Sequence, residues 1–144
     1  MTSTTLTTRT TTGSRRKAHP LRRATLLVGL GAAAVVTAFA AVAHEAGVGL
    51  TTGGTESIPV LGFAQMTFVG AVLGGLIVAV LNRHSTQPRA RFVLIAAVLT
   101  ALSCIPSVAM PPDAATKITL VVAHLLAAAI IVPVLARHAR PTQS

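Results

Sequence analysis

Before its closing arginines, the apolar run TLVVAHLLAAAIIVPVLARHAR over residues 119–140 is interrupted by one imidazole, His124. An imidazole titrates near neutrality, so in oily surroundings it can take up protons, hold a ligand, or hydrogen-bond to a neighbouring helix. Thr67, Ser103 and Cys104 occupy matching places in their own apolar stretches, as does Thr37. With His124, the first three make up a candidate ligand or proton site. Gln65, Ser107, His44 and Glu45 lie further toward one end of those stretches.

What these groups lack narrows the chemistry. No carboxylate sits inside an apolar stretch, so a proton-coupled cycle has no acid partner there. No nucleophile, base and orienting group fall at a recognisable spacing, and no Gly-Lys-Ser/Thr loop is present to cradle phosphate. Cys104 is the sole cysteine, which rules out an intrachain disulfide, a Cys-x-x-Cys redox pair and a cysteine-based metal cluster. His44, Glu45 and His124 are the only plausible metal ligands on the outer side, and whether they meet depends on packing that the sequence does not give, so no metal site is predicted. Small multidrug transporters depend on a glutamate within the first helix, whereas Glu45 falls at the end of the first apolar stretch here. Catalytic, metal and cofactor roles are therefore not expected.

The elements that must position His124 are long and greasy. Of 144 residues, 52% are hydrophobic and 10% charged, too apolar a balance for a soluble domain of this size. Four charge-free stretches, at residues 24–44, 62–82, 92–110 and 118–136, each come close to the roughly 20 helical residues that cross a hydrocarbon core. The expectation is an all-α, polytopic membrane protein with four transmembrane helices in an antiparallel up-down bundle.

Charge sets the orientation. The net charge of +9 resembles a nucleic-acid footprint, but its placement argues against one. Cations including Arg22 and Arg23 precede the first stretch; Arg83, Arg89 and Arg91 separate the second from the third; Arg137 and Arg140 follow the fourth. With four crossings, eleven of the twelve cations fall on one side, while Glu45, Glu56, Asp113 and Lys117 fall on the other. This is the positive-inside pattern and puts both termini in the cytoplasm of a cell whose inner membrane holds the protein. Without Trp or Tyr, the arginines serve as the topology anchors.

On this topology His124 lies six to nine residues from the outer end of its span, about 9–13 Å deep. Residues 1–23 form a Thr/Ser-rich basic tail without apolar period, expected to be disordered and able to lie on anionic lipid headgroups. The tail and first span also imitate an export signal, with Arg22-Arg23 and an Ala-x-Ala at Ala41, but retention of the span is expected. Residues 24–137 form the membrane domain, and 138–144 a short cytoplasmic tail.

Between the first two spans, residues 48–50 and 58–60 could pair as a short hairpin about the turn TTGG. Asp113 is placed to cap the fourth helix. The small residues Gly70, Gly74 and Gly75 in the second span, with Gly29 and Ala33 in the first, provide surfaces for close helix approach. Packing of helices one and two is favoured over a homo-oligomer seam. Pro106 and Pro133 fall inside the third and fourth spans, where each removes a backbone hydrogen bond.

The segment HLLAAAIIVPVLAR, with His124-Leu125 followed by Ile131-x-Pro133, comes after a short Pro-containing turn. In this it resembles a family of small bacterial four-helix membrane proteins known as a domain of unknown function. The resemblance covers residues 24–137. It implies the four-helix membrane topology and no catalytic residue. The reading is a non-enzymatic integral membrane protein with a structural or accessory role in the cell envelope. A small oligomeric transporter or channel with a polar outer entrance, and a membrane enzyme using His124, are the alternatives.

Overall fold

Three of the four helices have a proline at or next to their first residue, and the fourth starts after a capping carboxylate. Proline suits a first turn because its fixed φ is already helical and its missing N–H would have had no partner there. In the computed structural model, which describes residues 19–50, 59–110 and 113–140, helix α1 runs His19–Glu45 with Pro20 in its first turn. Helix α2 runs Val60–His84 after Pro59, and α3 runs Pro88–Ala109 with Pro88 at its start. Helix α4 runs Ala114–His138, and the Asp113 carboxylate accepts the Thr116 N–H at 2.7 Å.

All four are long and apolar enough to cross a membrane. Inside lipid a helix is the one open-chain structure that satisfies its own backbone, which is why stretches rich in Val and Ile can still be helical. Each helix extends past at least one end of the charge-free stretch that predicted it, and α3 stops one residue short at the other. Arg22 and Arg23 lie within α1, five residues of which fall in the expected disordered tail, and Arg89 and Arg91 lie within α3. Arginine is a good helix former, and its long stem lets the charge reach water from a helix end.

α1 ends in a Schellman motif. The Val48 N–H donates to the Ala43 carbonyl and the Gly47 N–H to that of His44, with Gly47 at φ 88°. Beyond it Leu50 holds a left-handed φ of 46° and is fully buried. The expected hairpin does not form as drawn, because Pro59 caps α2 and Val60 is already helical. Residues 51–58, which include its turn, lie outside the described residues.

α1 packs closely on α2 and also on α4; α3 packs mainly on α4, touches α2 more loosely, and has no substantial contact with α1. Thr25 of α1 lies against Gly75 of α2, and Gly29 lies against Ala71 and Phe68. One apolar cluster joins Val36, Ala40, Leu50, Phe63, Leu120 and Ala123. A second joins Ala32, Ala71, Val78, Phe92, Ile131 and Leu135. Outward-facing side chains are no less apolar: Leu27, Leu61 and Met66 are 72%, 78% and 72% exposed. Large apolar side chains left uncovered on all four helices are what a hydrocarbon solvent requires and water penalises.

Candidate functional site: a groove between the second and third helices

The loose seating of α3 on α2 leaves a half-open groove of about 580 Å³ whose floor is α4. Its walls stay apart because small residues face it. Gly70 would meet nothing within 4 Å if given a side chain, and Ala96, Ala123, Ala127 and Ala128 line the remainder. Gly74 also borders the groove, and a Cβ there would lie 3.0 Å from Leu135 of α4.

The close approach of α1 to α2 therefore runs along Ala71 and Gly75, one position on from Gly70 and Gly74. A Cβ on Gly75 would come within 2.5 Å of the Thr25 hydroxyl oxygen, and one on Gly29 within 3.0 Å of the Ala71 Cβ. Ala33 is buried on α1.

Three residues of the expected polar layer, His124, Ser103 and Thr67, line the groove together. Cys104, free and half-buried, is not among its lining, and neither is Thr37, whose hydroxyl is buried without a partner. His44 and Glu45 sit exposed at the end of α1. Among the described residues, no three His, Cys, Asp or Glu side chains gather as a metal ion would require.

Thr100 also lines the groove, one helical turn before Ser103, and sequence reasoning passed over it. The spacing of Thr100, Ser103 and Ser107 at i, i+3 and i+7 is the signal that could have found it.

How each group is bonded decides what it can offer. The His124 ring nitrogen Nδ1 lies 2.8 Å from the Leu120 carbonyl on its own helix. A carbonyl only accepts, so Nδ1 carries a proton, and in the neutral ring Nε2 is left as an acceptor. The Thr100 hydroxyl donates to Ala96 and the Ser103 hydroxyl to Thr100, both at 2.8 Å. Each hydroxyl proton is thereby used within α3, and its oxygen keeps only accepting capacity. At His124, Thr100 and Ser103 the groove therefore presents hydrogen-bond acceptors.

At the end of the molecule that gathers the arginines, Asn82 joins two helices. Its Nδ2 donates to the His138 carbonyl at 3.0 Å, and its Oδ1 accepts the Arg140 N–H at 2.9 Å. This amide closes the last turn of α4 from α2, a role the sequence did not announce, since Asn82 reads there as the edge of a span.

Residues 16–141 match a family of unknown function, DUF6069. The chain belongs to DUF6069. That match takes in all four helices, as the resemblance in HLLAAAIIVPVLAR implied. No curated protein and no solved structure matches the chain. What can be said of function in this DUF6069 member therefore rests on its own groove, charges and packing.

Proposed function

We propose that the protein is a multi-pass protein of the bacterial inner membrane, a left-handed antiparallel four-helix bundle with both termini in the cytoplasm and a non-enzymatic, accessory role in the cell envelope. The single observation that carries this orientation is the gathering of Arg22, Arg23, Arg83, Arg89, Arg91, Arg137 and Arg140 at alternate helix ends: the start of α1, the end of α2, the start of α3 and the end of α4. Lys and Arg flanking short loops hold those loops on the cytoplasmic side.

The antiparallel course is supported by the pairing of Thr25 with Gly75 and of Gly29 with Ala71, in which advancing along α1 means retreating along α2. Asn82 bonding at His138 and Arg140 supports a common direction for α2 and α4. A non-enzymatic role is supported by the commitment of the Thr100, Ser103, Ser107 and Thr119 hydroxyl protons to their own helices, since a nucleophile must hand its proton to a base.

Impermeant thiol labelling of intact cells tests the orientation. On a Cys104→Ser background, Ala46→Cys and Ala114→Cys should label and Thr86→Cys should not, all three positions being exposed on the molecule. Labelling at Thr86→Cys alone would invert the topology.

A further inference from the structure

We infer that the groove between α2 and α3 binds a long-chain, lipid-soluble alcohol or phenol, whose hydroxyl donates to Nε2 of His124. The volume, about 580 Å³, falls among small-molecule sites, which run from about 300 to 1,000 Å³. Its lining is overwhelmingly apolar, with Leu73, Ile77, Phe92 and Leu99 among the larger contacts, so the body of the ligand is hydrocarbon. The loosely packed flank between α2 and α3 is the route of entry from the surrounding lipid.

The hydroxyl follows from what the groove lacks. On the topology proposed above, His124 lies six to nine residues from the outer end of its span, about 9–13 Å deep at 1.5 Å per residue. At that depth a phospholipid offers methylene groups and no donor, so an ordinary acyl chain leaves the His124 Nε2 acceptor unpaired in hydrocarbon, at a real cost. Among the described residues no side chain donates to Nε2: Thr100 and Ser103 donate to carbonyls of α3, and the Thr67 hydroxyl makes no bond to the ring. An occupant must bring its own donor.

A second copy of the chain meets that need poorly. The hydroxyls of its Thr100, Ser103, Ser107 and Thr119 are spent in the same way, that of Thr116 is fully buried, and a helix about 10 Å across has to displace the walls of a slot this size. A slender amphiphile with one hydroxyl meets both conditions.

The test uses the full chain in lipid nanodiscs with two probes, para-dodecylphenol and its methyl ether, which share a hydrocarbon body and differ in the donor. Binding is followed by the ring-nitrogen NMR shifts of labelled histidine, with His124→Phe identifying the His124 signal. The phenol is expected to bind about fivefold or more tightly than the ether, the yield of one hydrogen bond, and to shift Nε2 of His124 alone. In His124→Phe the two probes should bind equally. Gly70→Leu, at a position that borders the groove and where an added Cβ meets nothing within 4 Å, should abolish binding of both while the histidine spectrum stays folded. Equal affinity of phenol and ether for the native chain would overturn the inference, as would phenol binding undiminished by Gly70→Leu. So would a native dimer that Gly70→Leu dissociates, which would assign the groove to a second copy.

Discussion

Asp113 holds its proton more weakly than an ordinary carboxyl, because the Thr116 backbone N–H donates to the carboxylate and favours the charged form. A depressed folded-state pKa means the cap's contribution is complete above the ordinary carboxylate value of about 3.9 and is lost as pH falls through the lowered one. Thermal unfolding in detergent should show Asp113→Ala melting below the native chain at pH 7, with the gap closing as the medium becomes strongly acidic. A gap that persists unchanged would mean the carboxylate is not the cap. Capping was legible in the sequence, since an Asp ahead of an apolar run has one well-defined use. The acceptor role of His124 was not. It depends on which ring nitrogen is tied to Leu120, and no spacing encodes that.

For helices, the instructive contrast lies between two glycines of α2. Gly75→Ala drives a methyl into Thr25 and should cost about 1–3 kcal/mol as overpacking. Gly70→Ala meets open space and should be neutral or stabilising by up to about 1 kcal/mol through helix propensity. Reversible unfolding in bicelles measures both, and equal effects would put the seam elsewhere. The sequence showed that α2 has a small-residue surface, yet Gly70, Gly74 and Gly75 crowd neighbouring positions, and a rotation of the helix decides which of them meets α1. Helix ends differ from the ends of the charge-free stretches for a related reason: the backbone follows Pro20, Pro59 and Pro88 rather than the first charge. Asn82 bears on the last turn of α4. Asn82→Leu removes a donor and an acceptor at once and should destabilise by about 1–3 kcal/mol. Hydrogen exchange at Arg140 should rise with it, and unchanged exchange there would dissociate the amide from the cap.

Across the whole molecule, composition and charge placement made four helices legible, because hydrocarbon accepts few other structures from a chain this apolar. The groove was beyond reach, since it comes from α3 preferring α4 over α2, a choice among faces that are all apolar. Orientation should depend on the charges as a set: replacing Arg83, Arg89 and Arg91 together with Gln should make Thr86→Cys labelled in a fraction of molecules, whereas replacing any one should not. Labelling that ignores the triple change would assign the orientation to the flanking groups alone. The seating of α3 also has a consequence in time. Ribosomes make α3 before α4, and the 29 residues from Ala109 to His138 take about one to six seconds at cellular synthesis rates. For that interval α3 exists without its main partner. It waits beside a half-built protein, held by the loose edge of α2, and in those seconds the newborn chain is most open to capture by insertion chaperones or membrane proteases.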